Sequence, residues 1–284
     1  MGRNAFWRAG LSLASLMLVV MAAGCGTAQA LIPSPTPAPT LAEPAALTVV
    51  CPDSLEPVIR AAASTYQREH PELDITVIVR ADTLAAEALR RGEGDVALLT
   101  WLPDTLSEGA WVRPVSRDGL AVVVNPQNGV PGLTMTQLQD LYQGRLEDWA
   151  SWGGLPGSPQ LISRETASGD AAFFQAWVMR DARVSLNALL APSTDAVLQF
   201  VMEDQLAIGY LSSAWVDSQV RVVPINGVPP AKETLEAGLY PMTRTQFVAT
   251  AAEPEEPSRG FVQWLLEPPG QSVFEAHGFV AAPE

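Results

Sequence analysis

The sequence predicts an α/β fold built as two lobes. Residues 47–99 alternate short apolar runs with helix-like stretches in the order βαβαβ, which favours a parallel sheet covered by helices. The alternation resumes after residue 120 and continues almost to the end of the chain. Once a leader and a tether are set aside, roughly 240 of the residues remain, enough for one large domain or two lobes of ordinary size.

Residues 47–51 form an apolar run ended by Pro52 and read as a buried strand. Asp53 or Ser54 is placed to cap a helix running to about His70, with Pro57 early enough for a first turn. Residues 73–79 alternate apolar and polar side chains as a second strand. Residues 82–91 read as a helix and 95–99 as a third strand. A strand over 120–124 leads into Asn125-Pro126, and a helix over 134–142 is closed by Gly144. A strand at 160–163 and a helix at 169–179 follow, then a helix at 194–202 and strands at 207–211 and 220–225. A helix around 232–237, a strand at 246–250 and two helical segments within 259–277 complete the series. Chain crossings between lobes are expected near Gly119 and Val222, giving one lobe of residues 47–120 plus 223–284 and another of 121–222.

Hydrophobic residues make up 48% and charged residues 17%, so the chain can bury a core and is not intrinsically disordered. The formal net charge is −14, from 17 Lys and Arg against 31 Asp and Glu. Such a field repels nucleic acid, which is excluded as a partner. Any anion must be captured by local donors working against it. Cys51 has no partner once Cys25 is assigned to the leader, which excludes a disulfide framework. His70 and His277 are too few for a multi-histidine metal centre, and neither a metal nor a cofactor is expected. With no G-x-S-x-G elbow either, the residues point to binding rather than catalysis.

Arg3 and Arg8 precede an apolar run over 11–23 that is short for a membrane span. Met21-Ala22-Ala23-Gly24 before Cys25 resembles a bacterial lipobox, with Ala22 standing where Leu is usual. A lipoprotein signal peptide is therefore expected at 1–25, with lipid on Cys25; the plain alternative is an ordinary secretory signal cut nearby. Pro33, Pro35, Pro37 and Pro39 lie in a Pro/Thr/Ala-rich linker at 26–46, extended at about 3 Å per residue. The expected location is the outer face of the cytoplasmic membrane, lipid-anchored.

Three strand ends carry the polar chemistry: Cys51-Pro52-Asp53-Ser54-Leu55, Leu99-Thr100-Trp101, and Arg164 through Asp170. In open α/β sheets, ligands bind beyond the carboxyl ends of strands, and helix starts there offer unsatisfied N–H donors. Arg164 adds a planar charge suited to an oxyanion, Ser168 a hydroxyl, and Gly169 close backbone approach. Taken singly these are weak signals. Ser54 and Ser168 are more often plain caps, Asp170 a dipole partner, and Cys51 a small buried hydrophobe.

Order and spacing add specificity. Residues 118–125 (DGLAVVVN), 133–144 with Gly144 as stop, Asp148-Trp149, Gly153-Gly154, Ala207-Ile208-Gly209-Tyr210, Tyr240-Pro241-Met242-Thr243-Arg244 and the ending 261–279 together resemble the phosphate-type substrate-binding proteins of bacterial ABC transporters, in the type II periplasmic-binding superfamily. The resemblance covers about residues 47–280. It implies a two-lobed clamp, each lobe a mixed sheet flanked by helices, that closes on a small tetrahedral oxyanion, phosphate being favoured, and passes it to an ABC permease. A monomer is expected. The ligand-binding residues it implies are Ser54, Leu55 through its N–H, Thr100, Arg164, Ser168, Gly169 and Asp170. Two departures bear on the anion. Thr100 stands where the family often has an acid, and Arg80-Ala81-Asp82-Thr83 replaces a Gly/Ser-rich anion loop. Asp82 or Asp170 would repel an anion if turned into the cleft. Tungstate, molybdate or sulfate, or a signalling or adhesion lipoprotein that kept the fold without the ligand, are the alternative readings.

Overall fold

The computed structural model describes residues 45–106 and 108–282. The expected signal peptide, the lipid-bearing Cys25 and the linker up to residue 44 lie outside the described residues. Residues 45 and 46, expected in the linker, instead begin the first strand.

The chain opens with β1 (Ala45–Cys51), α1 (Glu56–Glu69), β2 (Leu73–Val79), α2 (Asp82–Arg91) and β3 (Val96–Leu99). β1 pairs in parallel with both β2 and β3, so the βαβαβ order folds as its pattern predicts. β4 (Trp111–Val124) is longer than expected by its whole first half. It is followed by α3 (Met135–Tyr142), held by a capping box between Thr134 and Gln137, then β5 (Gln160–Arg164) and α4 (Gly169–Phe174), which runs on as a π-helical segment, Gln175–Met179. β6 (Leu189–Ala191), α5 (Thr194–Glu203), β7 (Ala207–Ser212), β8 (Arg221–Val222), α6 (Lys232–Glu236), β9 (Thr243–Thr250), α7 (Ser258–Leu266), α8 (Pro268–Ala276) and β10 (Val280–Ala281) complete it.

The strands run in the order β2-β1-β3-β9-β4-β7-β5-β6, with β8 and β10 also on β4. β4 joins the two lobes of this α/β architecture. It pairs with β9 up to Gly119 and with β7 from Leu120 onward. On the first side, Leu47, Val49, Ile59, Leu98, Phe261 and Phe274 pack α1, α7 and α8 onto the sheet. On the second, Leu120, Tyr142, Trp149, Phe174, Ile208 and Tyr210 pack α3 and α4.

Three expectations are corrected. Neither Asp53 nor Ser54 caps α1: Asp53–Leu55 form a 3-10 turn and the N-cap of α1 is Leu55, without a side-chain bond. The strand expected over 220–225 shrinks to Arg221–Val222, because Pro224 has no N–H to donate. β6 was not foreseen, being three residues long with two exposed leucines.

Candidate functional site

The carboxyl ends of β1, β3 and β5 meet, and the side chain between them is Asp82, the first residue of α2. It is 1% exposed. Its Oδ1 accepts hydrogen bonds from the Thr100 N–H (2.6 Å), the Thr100 Oγ1 hydroxyl (3.0 Å) and the Trp101 N–H (3.2 Å). Its Oδ2 accepts from the Gly169 N–H at 2.7 Å. Four donors from two separate strand ends therefore surround one carboxylate. Gly169 is required there, since a Cβ would collide with Thr100 Oγ1 and lie 2.6 Å from Asp82 Cγ. Burial pushes the Asp82 carboxyl above its ordinary value, while the N–H groups of Thr100 and Gly169 pull it back.

Beside this cradle lies an ion-pair network. Arg164 is 2% exposed, and its guanidinium offers five N–H donors. Nε donates to Glu165 Oε2 (2.9 Å), Nη2 to Asp53 Oδ1 (2.9 Å) and Glu165 Oε1 (3.1 Å), and Nη1 to Asp170 Oδ2 (3.2 Å) and Thr194 Oγ1 (3.1 Å). All five are engaged within the chain. Burial works against this charge, but the bond to Glu165 and the charges of Asp170 and Asp53 outweigh it and raise the guanidinium further. Asp170 also accepts from Arg244 Nη1 at 2.5 Å, and Arg244 holds Asp118 through two bonds of 2.8 and 3.1 Å. Asp53 Oδ2 takes the Thr194 N–H at the start of α5 (2.5 Å). Burial draws the Asp53 carboxyl upward, but Arg164 and the Thr194 N–H prevail and hold it below its ordinary 3.8. Two guanidiniums thus face Asp53, Asp118, Glu165 and Asp170, with Asp82 next to them.

The expected residues divide accordingly. Thr100 and Gly169 share one acceptor. Arg164 and Asp170 form the neighbouring network, and Ser168 caps α4 by accepting the Asp170 N–H at 3.1 Å. Ser54 and Leu55 directly follow Asp53 but share none of these bonds. The Leu55 N–H is bonded to the Pro52 carbonyl, and Ser54 lines a separate cavity with Pro57, Trp215 and His277. A larger cavity of about 470 Å³ touches the outer side of Arg164 but is walled mainly by Ala171, Ala172, Val184, Leu186 and Leu190, so it is apolar and is not where the donors point. Asp53, Asp82, Asp118, Glu165, Thr194, Arg244 and the Trp101 N–H belong to these two groups and were not among the expected ligand-binding residues. The signal available for Asp82 was its place in the loop that replaces the Gly/Ser-rich segment. Among the described residues, no group of three or more His, Cys, Asp or Glu side chains could hold a metal ion, and no helix is long and apolar enough to cross a membrane.

The family model for the PBP superfamily domain matches residues 35–269. The chain belongs to the PBP superfamily. Among the relatives of this PBP chain, the phosphate-binding protein PstS of Bacillus subtilis is 25% identical over 278 residues, covering 95% of this chain and 92% of that protein. PstS of Pseudomonas aeruginosa PAO1 is 25% identical over 270 residues, 84% of this chain and 83% of that protein. Of solved structures, a Clostridium perfringens substrate-binding protein with bound phosphate superposes with a TM-score of 0.78 at 22% identity, covering 84% of this chain and all of that one. The family match takes in β1 to α7, and so every strand end that builds the Asp82 cradle.

Proposed function

We propose that this PBP chain is an extracytoplasmic binding protein that captures a small oxyanion, phosphate being favoured, and that it catalyses no reaction. One observation carries the reading. The N–H groups of Thr100, Trp101 and Gly169 and the Thr100 hydroxyl converge on one two-oxygen anionic head group, the chain's own Asp82 carboxylate, and that is the donor arrangement an oxyanion receptor needs. The PstS relatives, bearing the name phosphate-binding protein, favour phosphate among the oxyanions. The lobes on this reading are residues 47–120 plus 223–284 and 121–222, hinged near Gly119 and Val222. Closure is driven by tighter binding to the closed state. Lipid on Cys25, a membrane permease as receiver and a monomeric state belong to the same proposal.

A second reading is favoured by Arg164. All five of its N–H donors are bonded within the chain, so a ligand would find no free donor on it. That suits a signalling or adhesion lipoprotein that kept the fold and lost the anion. Thermal unfolding with phosphate, sulfate, molybdate and tungstate in turn separates the two. A ligand at about 1 mM with a micromolar dissociation constant adds about 4 kcal/mol, a rise on the order of 10 °C for a chain of this size. A rise with phosphate alone supports phosphate capture. A rise with another anion moves the assignment to that anion, and no rise with any of them overturns oxyanion capture.

A further inference from the structure

We propose that Asp82 is the resident anion of the cleft: a carboxylate supplied by the chain itself, which occupies the oxyanion position, ties the two lobes together, and must be displaced before an external oxyanion can bind. The proposal rests on the oxyanion reading above and adds to it how the site is controlled.

Three features of the geometry lead here. First, Asp82 does not serve its own helix. As the first residue of α2 it could accept from that helix's free N–H groups, yet its donors are Thr100, Trp101 and Gly169, and the Thr83 N–H goes to the Ala167 carbonyl across the cleft. Second, both of its oxygens are used and they point to different lobes. Oδ1 bonds Thr100 and Trp101, which follow β3 on the first side of the sheet, and Oδ2 bonds Gly169, which follows β5 on the second. Third, Asp82 receives hydrogen bonds but no arginine, because Arg164 and Arg244 are held by Asp53, Glu165, Asp118 and Asp170. Displacing Asp82 therefore breaks hydrogen bonds from neutral donors but separates no ion pair, and an incoming oxyanion can take over the same donors.

The same carboxylate accounts for both departures noted in the sequence. The acid expected after the third strand is Thr100, and a carboxylate appears at residue 82 instead. Thr100, standing where the family often has an acid, is here a donor to the chain's own anion. The lobes are cross-linked twice more by the same device. Asp53 reaches Arg164 and the Thr194 N–H, and Asp170 reaches Arg244. Closure without a ligand follows, and a competing anion binds with an affinity reduced by the fraction of molecules in which Asp82 has swung out.

The test is amide hydrogen exchange on the full chain, read at Thr100, Trp101 and Gly169, for the wild type and Asp82→Ser, with and without inorganic phosphate or formate. Wild type should protect these amides in the absence of any anion. Asp82→Ser should expose them, speeding exchange roughly tenfold or more, the scale of losing one hydrogen bond to a charged group. Formate, which carries the removed head group, should restore protection, and phosphate should bind the variant more tightly than it binds wild type. Gly169→Ala provides the second variant. It keeps the Asp82 carboxylate in the chain but puts a methyl into collision with Thr100 Oγ1 and 2.6 Å from Asp82 Cγ, forcing donor and acceptor apart, and should expose Thr100 and Trp101 in the same way. Unchanged protection in both variants overturns the resident-anion proposal, whether or not phosphate binds. So does phosphate affinity equal in wild type and Asp82→Ser. Exposure that formate reverses and phosphate does not would support the resident anion while overturning phosphate capture.

Discussion

Replacing Arg164 with alanine removes a buried guanidinium whose five donors all have partners within the chain, and leaves those partners behind. Asp170 keeps Arg244, and Glu165 lies partly in solvent. Asp53 keeps Thr194 but, among the described residues, no arginine, on a side chain 23% exposed. Breaking a buried ion pair from one side costs about 3–5 kcal/mol, because the orphaned charge stays buried. At roughly 2–4 °C per kcal/mol for a chain of this size, the unfolding midpoint should drop on the order of 10 °C. Calorimetry at neutral pH on Arg164→Ala, Asp53→Ala and the double variant gives the cycle. The double variant should recover part of the loss, with a coupling of about 1–3 kcal/mol, since Asp53, the more buried of the two carboxylates left without an arginine, is then absent. A single-variant drop of under ~2 °C, or zero coupling, would refute the view that Arg164 is held as a structural cation rather than kept free for a ligand.

The pH dependence should show the Asp53 pair as well. Its carboxyl lies below 3.8 in the folded chain, so the stability it contributes is present above that pH and is lost as pH falls through the folded value. Asp82 has the opposite sign: raised on folding, it makes the chain less stable as pH rises above 3.8. The wild-type curve therefore mixes the two, and the informative measurement is wild type minus Asp53→Asn, which should shrink steadily as pH falls below 3.8. A gap independent of pH would mean the pair is not formed. Cys51 is fully buried and burial pushes its thiol up to about 12, so a thiol-specific reagent should leave it unmodified in the native chain and modify it on unfolding. Rapid native labelling at Cys51 would show that the end of β1 is open to solvent.

The parts of the fold visible in the sequence are those whose apolar runs are bounded by clear breakers. β2 and α2 keep their expected bounds, and β1 and β3 shift by one or two residues at their starts. The first half of β4 was invisible for a physical reason. Its residues Arg113, Pro114, Ser116, Arg117 and Asp118 break any apolar alternation, yet Ser116 and Asp118 are completely buried. Their partners are distant in sequence: Ser116 bonds Gln246, and Asp118 collects Arg244, Gln246 and Ser212. A buried polar strand looks like a loop until those partners are known.

The candidate site divides along the same line. Arg164, Ser168 and Gly169 were findable because a strand end, a cap and a close backbone approach are local properties of neighbouring residues. The role of Asp82 was not, because the sign of a carboxylate's effect depends on what faces it. An acid at the mouth of an anion site repels the ligand if it lines the wall, and replaces the ligand if the donors turn onto it. Only the second arrangement puts the N–H of Gly169, 87 positions away, 2.7 Å from Asp82. Nothing local to residue 82 encodes that distance. It is set by where β5 brings its carboxyl end relative to β3, and so by the order of strands across the whole sheet. On the proposed reading the functional consequence follows from that order: the sheet that builds an oxyanion cradle also delivers to it, from the start of α2, the anion it already holds.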